Sequence, residues 1–105
     1  MLQGKVINEK DFSDSGTPQD RLGHGTHIAG IVAGTKANNG LYDGVAPEAQ
    51  LLNAKVFSDS TGQGRNLWLI DAISWAIQNN ADVISMSLGS PSADPAVENA
   101  IKTAI

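Results

Sequence analysis

The chain has 105 residues, a formal charge of −4, 41% hydrophobic residues and 17% charged ones, which suits a single domain with a modest core. No block of like charge and no basic patch offers nucleic acid or a membrane surface an electrostatic foothold, and no apolar run approaches the roughly 20 residues needed to span a bilayer. The absence of cysteine excludes disulfides and Cys-ligated metal sites but says nothing about compartment.

Met1 is followed by Leu2-Gln3-Gly4-Lys5, with no charged leader and no apolar signal core, so an export signal is expected only on a part of the parent protein outside these residues. Residues 4–12 alternate weakly around Val6 and Ile7 and predict a short strand. A polar Asp/Ser/Gly/Pro loop over 13–23 follows it and delivers His24. Residues 25–34 predict a helix whose Ile28, Ile31 and Val32 share one face with Ala29 and Ala33 beside them, and it is expected to be buried. Gly23 and Gly25 flank the histidine and would leave room for a substrate backbone. Asn38, Asn39 and Gly40 supply turn chemistry.

Residues 51–56 form a short apolar run that fits an interior strand of a parallel sheet. Leu69, Ile70, Ile73, Ala76 and Ile77 recur at three and four residues and predict a helix over 67–79, closed by Asn79 and Asn80. Residues 83–86 read as another buried strand, which would complete a right-handed βαβ unit. Asp94 and Pro95 then sit where an N-cap and first helical residue belong, ahead of Val97, Ala100, Ile101, Ala104 and Ile105 on one face.

A lone histidine at the start of a small, apolar helix is ordinarily a satisfied core residue, but its surroundings here point elsewhere. His24-Gly25-Thr26-His27 is followed in order by Gly44-Val45-Ala46-Pro47, Ala54-Lys55-Val56, Gly62-Gln63-Gly64, Trp75-Ala76-Ile77 and Met86-Ser87-Leu88-Gly89. In these motifs the chain resembles the subtilisin-like serine proteases, the subtilases, over nearly its whole length. The resemblance implies an incomplete subtilisin-like α/β domain across residues 1–105, with a parallel sheet and helices on both faces. It also implies that His24 is the general base of a serine endopeptidase and that the parent is secreted.

Gly62, Gly64, Ser87, Leu88 and Gly89 would line the cleft for an extended peptide or protein substrate, held by backbone pairing on two sides. Leu69 and Leu88 would line an apolar pocket further from the cut. The chain contains no G-T-S-M-A segment for the nucleophile and no apolar strand ending in an aspartate ahead of His24, so by itself it is expected to be inactive.

Asp14-Ser15-Gly16 superficially matches the signature of the missing aspartate, but it follows a polar segment and is read as a turn whose Asp14 carboxylate bonds its own loop. Asp20 is read as a carboxylate that orders the loop before His24. The pair His24 and His27 lacks the spacing, glutamate and third ligand of a zinc helix, and no metal is predicted. Calcium is likewise not predicted: Asn38 and Asn39 lie where many subtilases bind it, yet few oxygen ligands are nearby. Glycines 23, 25 and 30 do not match a dinucleotide fingerprint.

The alternative to a protease segment is a non-catalytic peptide-binding or assembly module on the same scaffold. In either case, parallel strands left without neighbours are expected to favour self-association through sheet edges.

Overall fold

The computed structural model describes residue 2 and residues 4–36, 43–87 and 94–105. In chain order these form β1 (Val6–Asp11), α1 (His24–Ala33), β2 (Leu51–Lys55), α2 (Asn66–Gln78) and α3 (Pro95–Ala104). β1 and β2 pair in parallel, from Val6 opposite Leu51 to Asp11 opposite Lys55, with an irregularity between Val6 and Asn8. A parallel pair needs a crossover, and α1 lies within it. The two strands therefore end side by side, and the loops leaving them, 12–23 and 56–64, emerge at the same end of the sheet.

Local chemistry accounts for the helix boundaries. Asn80 takes a left-handed conformation (φ 60°) just past α2, while Asn80 N donates to Ile77 O and Ala81 N to Ala76 O. That pair of bonds satisfies carbonyls the helix leaves open, with asparagine tolerating the conformation glycine usually takes. At the start of α3 the Asp94 carboxylate accepts from Ala96 N at 2.8 Å and from Asn66 Nδ2 at 2.7 Å, so one side chain caps α3 and ties it to the first turn of α2. α2 packs against both β2 and α3.

The end of α1 is closed from outside the helix. Gly44 N, Val45 N and Ala46 N donate to the carbonyls of Gly34, Ile31 and Val32 at 2.8, 2.9 and 2.7 Å. A Cβ on Gly44 would meet Ile31 O at 2.7 Å, Gly30 O at 2.8 Å and Ala33 N at 2.9 Å, all of them backbone atoms. Glycine is required here by close approach of two backbones, which explains physically why this residue opens the Gly44-Val45-Ala46 segment.

The interior is thin. Among the described residues the buried apolar side chains are Ala33, Ala72, Ile73 and Ala76. Three sequence expectations change accordingly. Residues 83–86 do not form a strand, and Val83 is 84% exposed. The anticipated β2–α2–strand unit is therefore absent among the described residues, and the βαβ unit present is β1–α1–β2. β2 consequently has a ladder partner on one side only, where an interior strand was expected. α1 is largely uncovered: Ile31 is 54% exposed, and only Gly30 and Ala33 of the helix are buried. The common reason is that an apolar pattern states what a segment can bury, while burial and pairing require a neighbour within reach.

Gly44→Ala is expected to lower stability by about 1–3 kcal/mol, because the new methyl meets backbone that has no rotamer with which to yield. Thermal or urea unfolding followed by circular dichroism would show it; an unchanged midpoint would mean that the two backbones separate without cost.

Candidate active site

β2 carries two polar side chains, Asn53 and Lys55, which share a face because side chains alternate along a strand. Asn53 Nδ2 donates to Pro18 O at 3.2 Å and Lys55 Nζ to Gln19 O at 2.6 Å, so the strand holds consecutive carbonyls of the loop before His24. Lys55 Nζ also donates to Asp59 Oδ1 at 2.8 Å, and its side chain is only 9% exposed. Asp59 N in turn donates to Ser15 Oγ at 3.0 Å. One ammonium thus joins the loop before the histidine to the loop after β2.

The start of the 12–23 loop is organised by Asp11, whose carboxylate accepts from Ser13 N, Ser13 Oγ and Gly16 N. Burial would raise its pKa, but those bonds from Ser13 and Gly16, with the nearby Lys55 charge, hold it below the ordinary carboxylate value. Asp14, which the sequence suggested for this role, is exposed. The acceptor is the last residue of β1, where the strand's direction aims the carboxylate into the turn.

Asp20 organises the other end. Its Oδ1 accepts from Leu22 N at 3.2 Å and Gly23 N at 2.9 Å, and its Oδ2 from Thr26 N at 2.8 Å and Thr26 Oγ1 at 2.6 Å. Gly23 is the N-cap of α1 and has no side chain to satisfy the first turn's free N–H groups, so Asp20 takes one of them, Thr26 N, from three residues upstream of the cap. Gly23 also has φ 90°, a left-handed conformation that favours glycine, and a Cβ there would meet nothing within 4 Å. Backbone conformation, not crowding, demands the glycine.

His24 is the first residue of α1 and is exposed. It lies on the wall of an open cavity of about 650 Å³ shared with Ile28 and Val32 of α1, β2, Ile73 and Ala76 of α2, and the run from Asn79 to Ser87. Leu69 and Ser87 line this same cavity. Gly62 and Gly64 do not, although Phe57 and Asp59 from the beginning of their loop do. Gly62 has φ 69° and donates to Ser58 O at 2.8 Å, while a Cβ on Gly64 would meet Val56 O at 2.6 Å. These two glycines serve the shape of their own loop.

Leu88, Gly89, Asn38 and Asn39 lie outside the described residues. Among the described residues no group of three His, Cys, Asp or Glu side chains could hold a metal ion, and no helix is long and apolar enough to cross a membrane. The sequence reading missed Asn53 and Lys55. Their signal was two polar residues at alternate positions of an otherwise apolar strand, which places both on one face with a polar neighbour to find.

The geometry defines an α/β protein with an exposed histidine on the wall of an open cavity that runs along β2 and the apolar faces of α1 and α2. Comparison with known proteins makes the class specific. The subtilase family profile matches residues 3–105. The major intracellular serine protease of Bacillus subtilis is 42% identical over 99% of this chain and 34% of its own length. Subtilisin E of the same organism is 45% identical over 89% of this chain and 24% of its own. The solved structure of sphericase superposes with a TM-score of 0.75 at 34% identity, covering 92% of this chain and 36% of that one. The chain belongs to the subtilase family, and it spans about a third of the length of the first of these relatives.

The Asp20 clasp has a pH signature. Burial works to raise its pKa, but the bonds from the Thr26 hydroxyl and from the Thr26, Gly23 and Leu22 amides outweigh it and bring the value from 3.8 to about 2. A depressed folded-state value means that the contribution is complete above the ordinary carboxylate range and is lost as pH falls from about 4 through about 2. The Gly23 and Thr26 amide resonances are therefore expected to titrate with a midpoint near 2; a midpoint near 4 would show a carboxylate free of these bonds.

Proposed function

We propose that this chain is the part of a serine endopeptidase that carries the general base, with His24 in that role. The reading rests on one observation above all: the imidazole is exposed at the first turn of α1, on a cavity wall it shares with Ser87. In the reaction, neutral His24 takes the proton of a serine hydroxyl as the oxygen attacks a peptide carbonyl, and then returns it to the leaving amine. On this reading Ser87, which lines the cavity, flanks one side of the peptide's path and the loop bearing Gly62 and Gly64 the other, so an extended substrate pairs with backbone on both sides.

The serine and the aspartate that orients the histidine belong, on this reading, to parts of the parent outside these residues. Removing the nucleophile or the histidine from a catalytic triad costs on the order of 10⁶ in turnover, a magnitude known from subtilisin itself. The 105 residues alone are thus catalytically incompetent. Family membership carries no extracellular address, since two of the matched relatives are named intracellular serine proteases.

A fluorogenic peptide amide provides the assay. The parent polypeptide is expected to cleave it and its His24→Ala variant to lose about 10⁶-fold in turnover, while the isolated chain shows no cleavage. A His24→Ala parent of undiminished rate would refute the assignment. Saturable peptide binding by an inactive parent, followed through Trp68 and Trp75 fluorescence, would instead establish the non-catalytic binding module.

Missing neighbours would also govern assembly. β2 has no ladder partner on one side among the described residues, and the cavity beside it is lined by Ile28, Val32, Ile73 and the run from Asn79 to Ser87. An open parallel edge above an apolar trough templates pairing with another chain. The isolated chain is expected to self-associate through β2, with a sedimentation coefficient that rises with concentration. A monomer at all concentrations with a cooperative thermal transition would count against it.

A further inference from the structure

We propose that Asp20 is a positioning residue for His24, acting by clasping the backbone on both sides of the histidine. The inference rests on the general-base reading but assigns a role that the reading does not require.

The two oxygens of one carboxylate divide the work. Oδ1 takes the amides of Leu22 and Gly23, which precede His24, and Oδ2 takes the amide and hydroxyl of Thr26, which follow it. His24 and Gly25 are thereby enclosed in a ring closed at Asp20. No other side chain caps this end of α1. The N-cap is a glycine, with a left-handed φ of 90°, and the first turn contains no acidic residue. Among the described residues the imidazole has no hydrogen-bond partner, so within this chain the backbone on either side is what places it. A carboxylate at a helix N-terminus also meets the positive end of the helix dipole, which keeps it ionised and the clasp closed at working pH.

The clasp is anchored in turn. Gln19, adjacent to Asp20, is held by Lys55 Nζ, and Pro18 by Asn53, so Asp20 is fixed to β2 rather than to a free loop. Gly25, inside the ring, lies close enough that a Cβ on it would sit 3.8 Å from Asp20 Oδ2. The carboxylate thus bonds to His24's neighbours on both sides.

A purely structural cap and a positioning clasp differ in their consequences. Asp20→Ala in the parent is expected to lower kcat by on the order of 10²-fold with KM unchanged, the size of effect that accompanies a misplacement of about 1 Å at a reacting group. Asp20→Asn keeps one acceptor oxygen and is expected to fall between alanine and wild type. Thr26→Ser should retain the wild-type rate, and Thr26→Val, which loses the hydroxyl donor, should not.

In the 105-residue chain, nitrogen-15 relaxation of Asp20→Asn is expected to show loosening at His24 and Gly25 while His27 to Val32 keep helical shifts. His27, one turn along the same helix, serves as the internal control. Equal loosening of His24 and His27 would make Asp20 a helix cap only and overturn the proposal. So would an Asp20→Ala parent with wild-type kcat alongside an inactive His24→Ala parent, a result that leaves the general-base reading standing. If Asp20→Ala does not fold, the Asp20→Asn and Thr26 variants decide by the same criteria.

Discussion

The Lys55 ammonium is the contact on which the rest of the site depends. It stands at the end of β2, largely withdrawn from solvent, with Gln19 O and Asp59 Oδ1 as its partners. A charge so placed is costly to leave unpaired, so the 12–23 loop and the loop after β2 cannot drift apart independently. Asp59 extends the tie to Ser15 through its amide, and Asp11 organises the turn in which Ser15 sits. From β1 through Ser15 and Asp59 to Lys55, then by Gln19 and Asp20 to His24, hydrogen bonds carry the connection from one segment to the next. The His24 imidazole takes no part in this chain of contacts among the described residues.

The apolar interior is weak by comparison. Ile73 is the one large aliphatic side chain buried among the described residues, and burying such a side chain contributes about 1.5–3 kcal/mol. Ala33, Ala72 and Ala76 add little area. Much of the apolar surface on α1, β2 and the 79–87 run instead faces the shared cavity. A segment built in this way keeps its loops ordered by polar bonds while its hydrophobic faces await cover. That division agrees with a chain spanning about a third of the length of the first matched relative.

Much of the fold was legible in the residues. Helices α2 and α3 follow their three-and-four spacing, Asp94 and Pro95 mark the start of α3, and Asn79 with Asn80 mark the end of α2. Each of these signals acts over a few residues, and each survives whatever lies nearby. Asp20 was legible as a carboxylate that orders the loop before His24. Asp11 was overlooked because a strand's final residue and a loop's aspartate look alike in one dimension, and only the direction of the chain as it leaves β1 separates them. Gly62 and Gly64 were read as room for a substrate, and the structure adds a local role for each in shaping its own loop. A glycine reports that a side chain is unwelcome without saying what approaches.

By itself, the amino-acid sequence determined the three helices, the close of α2, the N-cap of α3, the polar loops between elements and the motifs that mark the subtilase family, because these are properties of neighbours within a turn or two. The tertiary structure alone decided that, among the described residues, 83–86 form no strand and α1 is largely uncovered, and that Asn53 and Lys55 reach back to Pro18 and Gln19. Those outcomes depend on which segments meet across long stretches of chain. A strand becomes a strand, and a buried lysine is satisfied, only when a partner arrives at hydrogen-bonding distance, and no local pattern carries that information.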